Sequence, residues 1–366
     1  MFGWQLLFLW HKEILIILKD PINRIILIMP VIVQTIIFGY GATFDLNHAP
    51  IAVLDQSKSQ VSMELVRKIN ASGLFVTKAI LHSPMQINSV IDNNQALLVL
   101  HIGSDFAQNL TKIGSASVQI ILDGRNSTTA AMAAGHLHTL IAEFNAEVLQ
   151  VRSPLKITPR IWFNPNLEMR NVTATGLIVT LSMIQVLILS ALSVAREREQ
   201  ATFDQLLVTP LTPFLILLGK ALPPILIGIG QSSLILLIAL FLFKIPFMGN
   251  LLVLFLGITI FTASCVGLGL CISALARNMQ QAMVFTFVLV MPLVLLSGLL
   301  TPISNMPEFL QVITFANPLR FGLDMVRSIY LEGASLLDIA PNFIPMLILA
   351  LITMPLAAWL FRNRMS

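Results

Sequence analysis

Six apolar runs of near-membrane length constrain this chain more than anything else in it. They cover residues 25–41, 172–194, 214–243, 251–275, 282–300 and 343–361. A bilayer core takes about 17–25 residues of apolar helix. In lipid the backbone must satisfy its own polar groups, so such runs cross as helices. The charge content agrees: 11% of residues are charged, against about 25% in a soluble domain. The expected fold is a polytopic α-helical membrane protein with six transmembrane helices. Lys and Arg number 22 against 18 Asp and Glu, an excess too small to suggest nucleic acid. Cys265 and Cys271 share one apolar run. Six helical positions put them on largely opposite faces, which excludes a disulfide within that helix.

The segments between the runs differ in kind. In residues 1–20, Gln5, Lys12 and Lys19 form one polar stripe while Trp4, Leu7, Phe8, Ile14, Leu15 and Leu18 cover the rest. That pattern predicts an amphipathic helix lying in the membrane interface. Its charges follow an apolar segment, and the next run lacks a clear small-x-small cleavage site, so it does not read as a signal peptide. The first transmembrane helix is placed at 22–42, with Arg24 at its start and a kink at Pro30. Residues 43–170 change character, with charges, Asn, Ser and Gly returning. Strands are expected at 51–54, 97–102 and 118–122, alternating with helices at 61–70, 84–93, 105–112 and 128–151. That alternation predicts an inserted α/β domain able to bury its own core. Residues 171–366 hold the other five spans. The run at 214–243 is interrupted by Lys220 and Pro223-Pro224, so its first turns are expected along the interface, with Lys220 snorkelling. Ala263, Ser264, Gly267, Gly269 and Ser273 offer small residues for close helix contact in the fourth span.

Positive charge sets the orientation. With the N-terminus inside, inner segments hold Lys12, Lys19, Arg24, Arg196, Arg198, Lys220, Arg277, Arg362 and Arg364. The short outer loops hold only Lys244, Arg320 and Arg327. Both termini are then cytoplasmic and the α/β domain is extracytoplasmic. The largest inner polar stretch is 195–213, reading ARERE-QATFDQLLVTP-LTP. Arg196, Glu197, Arg198 and Glu199 are four successive charges, and Phe203, Leu206 and Leu207 fall on one helical face. Pro210 and Pro213 end that helix. An apolar stripe outside the spans suits docking into a groove on another protein, or lying on lipid headgroups. On the outer side, 301–342 alternates proline breaks with apolar turns, which predicts short re-entrant helices buried by protein.

The stretch from 198 to 210 resembles the cytoplasmic loop of type II ABC exporter permeases, the ABC-2 type, in which a run R-E-x-x-x-G-T-x-E-x-L-x-x-T-P forms a coupling helix that meets the ATPase. Arg198, Glu199, Thr202, Asp204, Leu206, Thr209 and Pro210 carry the likeness, with the Arg-Glu pair two residues nearer the threonine than in that run; Ala201 and Asp204 depart from its glycine and glutamate. IAVLDQSKS and ILDGRNS are similar to strand ends in the drug-exporter branch with a large outer domain. Pro292, Ser297, Gly298, Pro302, Met306, Pro307 and Asn317-Pro318 are similar to the family's fifth span and outer half-helices. These last residues are the expected outer gate. The resemblance implies an ATPase subunit carrying the ATP and Mg, and a second permease subunit, identical or a similar paralogue. It further implies contact with membrane lipids, a bacterial inner-membrane location and room for a periplasmic adaptor. It implies export out of the cytoplasm or inner leaflet without fixing the substrate; the scarcity of charge deep in the spans suggests an apolar or amphipathic one, a drug or lipid-like molecule.

The chemistry absent from the sequence points the same way. There is no G-x-x-x-x-G-K-[ST] loop, since Gly219-Lys220 is followed by Ala221. ATP hydrolysis is therefore expected on a separate chain, and no cofactor on this one. His136 and His138 point about 200° apart on a helix, and zinc wants three or four converging ligands, so no metal site and no catalytic residue is expected. The alternative class is a membrane-anchored sensor or scaffold with an extracytoplasmic ligand-binding domain. It needs few spans and a cytoplasmic output domain, and the sequence offers many spans and no such domain.

Overall fold

The computed structural model describes residues 21–41, 48–148, 169–199 and 213–363, with Trp10, His11, Leu15, Lys19 and Phe163. The chain forms two compact units, Phe44–Arg160 and the remainder.

The smaller unit is built on a four-stranded sheet. Its strands are β1 (Ala49–Asp55), β2 (Phe75–Ile80), β3 (Leu98–Ile102) and β4 (Val118–Leu122), in the order β2-β1-β3-β4. β1 runs parallel to β2 and β3, and β4 is antiparallel to β3. β1 and β3 are central and buried on both faces, which is why they are continuous apolar runs. Four helices complete the unit: α2 (Gln60–Ala71), α3 (Gln86–Asp92), α4 (Phe106–Lys112) and α5 (Ser127–Val148). Leu65 and Ile69 of α2 and Ala133, Leu137 and Phe144 of α5 pack on Ile51, Val53, Leu98 and Leu100. Ile87 and Val90 of α3 cover Ala52, Leu54 and Val99 on the opposite face. A Ser59–Ser62 capping box starts α2. Strand β2 was not expected. Lys78 interrupts its apolar pattern, at the point where the β1–β2 register shifts between Ile51 and Ala52.

The larger unit is helical. Its elements are α1 (Pro21–Gly41), α6 (Met169–Glu199), α7 (Pro213–Leu237) and α8 (Leu251–Leu275), then α9 (Met279–Leu295), α10 (Glu308–Ile313), α11 (Pro318–Arg327) and α12 (Leu336–Asn363). Short π-helical turns follow α7 at Ile238–Leu242 and α11 at Ser328–Glu332. Among the described residues four helices are long and apolar enough to cross a membrane: Met169–Glu199, Leu215–Leu242, Leu251–Leu275 and Leu336–Asn363. The first and fifth expected spans correspond to shorter apolar helices, Leu27–Gly41 and Met279–Leu295. The fifth is short because α9 ends at Leu295 and the chain turns at Gly298, which has φ 86°.

Helix α6 is the hub of this unit, buried on every side along 174–183 and packed against α1, α7, α8, α9 and α11. A helix buried all round must be apolar all round. Two glycines of α8 allow its close neighbours. A Cβ on Gly269 would lie 1.9 Å from Ser190 Oγ of α6, and one on Gly267 would lie 2.0 Å from Thr353 Oγ1 of α12. The small residues of this span therefore serve two partners on different faces. Helix α7 passes through Pro223 and Pro224 without breaking, contrary to the interruption expected there.

Candidate functional site

The last turn of α6 carries Arg196, Glu197, Arg198 and Glu199. The helix of the second expected span, 172–194, runs on through these residues to Glu199. Three successive side chains there hold three other helices. Glu197 Oε1 lies 2.7 Å from Lys220 Nζ of α7, with side chains 12% and 1% exposed. Arg198 Nη1 donates to Ala274 O at 3.2 Å and Ala276 O at 2.8 Å, at the end of α8. Glu199 Oε2 accepts from Met279 N at 3.0 Å, at the start of α9. A cation at a helix C-terminus and a carboxylate at an N-terminus each complement the helix dipole and bond groups left without intrahelical partners.

Supporting contacts fix this turn. Ser273 Oγ accepts from Val194 N at 3.0 Å. Leu192, Ala195, Ala276 and Ala282 form a small apolar cluster nearby. Asn278 caps α9 by accepting from Gln281 N at 2.8 Å, while Gln281 Oε1 accepts from Arg277 N at 2.8 Å. Lys220 does not snorkel to an interface as expected. It is enclosed by protein, because its ammonium has a carboxylate partner inside the unit. Removing one member of such a buried pair costs roughly 3–5 kcal/mol. Of the other residues expected in the coupling helix, Thr202, Phe203, Asp204, Leu206, Leu207 and Pro210 lie outside the described residues.

The expected gate residues are brought together around the end of α9. Pro292 lies within α9, and its carbonyl accepts from Leu296 N at 2.9 Å. Ser297 Oγ donates to Val294 O at 2.7 Å and accepts from Leu299 N at 3.2 Å, shaping the turn before Gly298. Pro302 opens a 3-10 turn, Ile303–Asn305, that ends at Met306. Pro307 is the N-cap residue of α10, and Met306 O accepts from Gln311 Nε2 at 2.8 Å. Asn317 joins the two parts. Its Oδ1 accepts from Leu319 N at 3.0 Å, capping α11 ahead of Pro318, and its Nδ2 donates to Leu293 O of α9 at 2.7 Å. Helix α11 then buries Leu319, Phe321, Leu323, Met325 and Val326 against α6, α8 and α12.

Sequence reasoning does not foresee the contacts of Arg320, and it passes over Tyr330. Arg320 bonds Thr314 Oγ1 and lies 4.3 Å above the Phe315 ring. Tyr330 is fully buried; its hydroxyl donates to Ile245 O at 3.0 Å, and its carbonyl accepts from Met248 N at 3.0 Å. Lone residues in apolar loops give no periodic signal, and only the fold shows their partners. The α7–α8 loop and the Ser328–Glu332 turn thus share one end of the helical unit. The α6 terminus and the α8–α9 turn share the other. Among the described residues no cluster of His, Cys, Asp and Glu could hold a metal ion.

Comparison with known proteins places this geometry. The sequence pattern of the family described as "ABC-2 family transporter protein" matches residues 24–359. The chain is similar to "Probable multidrug ABC transporter permease YbhR" of Escherichia coli (strain K12), with 38% identity over 97% of each chain. It is similar to "Probable multidrug ABC transporter permease YbhS" of the same organism, 27% identical over 88% of this chain and 87% of that one. "Inner membrane transport permease YhhJ", also from that strain, is 26% identical over 82% of each.

Proposed function

The chain belongs to the ABC-2 family of transporter proteins, and we propose that it is the transmembrane permease subunit of an ATP-driven exporter. Its substrate in this reading is apolar or amphipathic, a drug or lipid-like molecule leaving the cytoplasm or the inner leaflet. The observation that carries the reading is the family match across residues 24–359, which takes in both compact units. The relatives' names supply the word "multidrug" for those proteins. The substrate class here rests also on the scarcity of charge within the spans, since ion-coupled carriers keep intramembrane acids or bases.

Four span-length helices, with α1 and α9 as the two shorter crossings, make six. The α/β unit is extracytoplasmic, both termini are cytoplasmic, and the membrane is a bacterial inner membrane. The sequence has no phosphate-binding loop. ATP and Mg are therefore bound by a separate ATPase subunit, which meets the segment following α6. Two permease subunits complete the transporter, with α10 and α11 closing the path on the outer side.

The test is co-purification with a candidate ABC ATPase from the same cell, then reconstitution into liposomes. ATP turnover that rises with an apolar amphiphile, together with its ATP-dependent movement, is the expected result. A chain that binds no ATPase and transports without ATP would overturn the reading.

A further inference from the structure

We infer that Lys220 is a positioning residue for transport: paired with Glu197, it staples together the two ends of the 200–212 connection, so that a push on that connection reaches α7, α8 and α9 as one displacement. The inference rests on the reading above in one respect, that this connection receives the push of an ATPase.

Lys220 lies seven residues after Pro213, about 10 Å along α7. Its side chain is 1% exposed and its ammonium is 2.7 Å from Glu197 Oε1. Burying two charges gains little cohesion, because an apolar pair of similar volume holds helices at least as well. What a buried ion pair adds is register, since its short contact is lost when either helix slides or turns. Glu197 occupies the last turn of α6, so the pair locks the exit of one span to the entry of the next. The next two residues extend the lock. Arg198 holds Ala274 O and Ala276 O of α8, and Glu199 holds Met279 N of α9. No other turn in the described helices grips three neighbours through three successive charged side chains. Displacing 197–199 therefore acts on three helices at once, through short polar contacts that fix register beyond what their apolar packing on α6 does.

The test compares three forms of the full chain. In the first, Glu197→Gln with Lys220→Met removes the charges and keeps the volume. In the second, Glu197→Lys with Lys220→Glu swaps them. The third is the unsubstituted chain. In proteoliposomes with the ATPase, the neutral form should bind the ATPase and hydrolyse ATP. Its export per ATP should fall about tenfold, within the usual range for coupling between sites, and the swapped form should regain most of it. A neutral form that exports with the unsubstituted ratio would overturn the inference. So would a folded swapped form no better than the neutral one.

Hydrogen exchange on the chain alone gives a second readout that needs no partner. The neutral form should exchange about tenfold faster both at the first turns of α7 and around Met279, as one locally opening unit. Unchanged exchange at both places would also refute the staple. An unsubstituted chain that fails to engage any ATPase would count against the exporter reading, while the exchange result still decides the staple. If the neutral form does not fold, the swapped form carries both measurements.

Discussion

Gly269 faces Ser190 at a distance that leaves no room for a methyl group. A Cβ there would also lie 3.0 Å from Leu187 O, a backbone atom that cannot swing aside. Gly269→Ala should therefore cost about 1–3 kcal/mol by overpacking. Gly230 of α7 has nothing within 4 Å of the same position, and Gly230→Ala should gain up to about 1 kcal/mol of helix propensity. Thermal unfolding of both variants in detergent checks the contrast, and equal effects would contradict the α6–α8 packing. In the α/β unit, Asp123 and Arg125 make a second residue-scale case. Arg125 donates to Asp123 through its backbone N at 3.0 Å, Nε at 2.9 Å and Nη2 at 2.8 Å. Its Nη2 also reaches Asn94 Oδ1 at 3.1 Å, beyond the end of α3. The side-chain and backbone hydrogen bonds from Arg125 hold the Asp123 carboxyl below its ordinary value. A depressed carboxyl contributes stability above its unfolded value, about 3.9, and loses it as pH falls through the lower folded value. Arg125→Ala should thus weaken the unit at neutral pH, the gap closing in acid. Urea unfolding at pH 7 and at pH 2 measures this, and a gap of constant size would exclude the pair as its source.

At the scale of elements, what was legible followed periodicity, and what was not depended on partners. The long apolar helices and strands β1 and β3 are readable because burial on both faces leaves unbroken apolar runs, and β4 is readable from the apolar run 120–122 although its residues are half-buried or exposed. β2 was hidden because an edge strand can carry Lys78 towards water. The charges at 196–199 are expected in the short helix between two spans, whereas the helix of the preceding span runs through them to Glu199. In fact Glu197, Arg198 and Glu199 all find partners on neighbouring helices. That revises how the segment works. Glu197 Oε1 is taken by Lys220 and one oxygen of Glu199 by Met279 N, while Glu199 itself stays exposed. In the proposed function, the apolar stripe of Phe203, Leu206 and Leu207, with Asp204 beside it, enters a groove on the ATPase. An aromatic anchor buried in such a groove is worth about 2 kcal/mol or more. Phe203→Asp would place a charge in that groove without touching a span. The expected variant is stable in the membrane and loses ATPase pull-down, or retains it and stops transporting. Normal pull-down with normal transport would return 200–212 to the role of a plain connection.

For the whole molecule, the contacts divide the helical unit into two ends, and the charge distribution supports the proposal that the α6–α7 end faces the cytoplasm. Arg198 and Glu199 tie the α6 terminus to the α8–α9 turn, which carries Arg277. Met248 and Tyr330 tie the α7–α8 loop to the turn after α11. Each of α7 and α8 joins one end to the other, so a side assigned to either end fixes both. The α6–α7 end holds Arg196, Arg198, Lys220 and Arg277, and the opposite end holds Lys244, Arg320 and Arg327. Positive residues in short loops stay on the cytoplasmic side. The numbers are close for these loops alone, and Lys12, Lys19, Arg24 and Arg362 near the termini tip the balance inward. A phosphatase fused after Thr202 should accordingly be inactive, and one fused after Asn47 or after Pro246 should be active. The third fusion matters most, because its side follows from the helix contacts once the first is known. Activity after Thr202 and none after Pro246 would invert the bundle and place the charged turn of α6 beyond the reach of any ATPase. Activity at both would mean that α7 does not cross, and that its buried Lys220–Glu197 pair holds a hairpin on one side of the membrane.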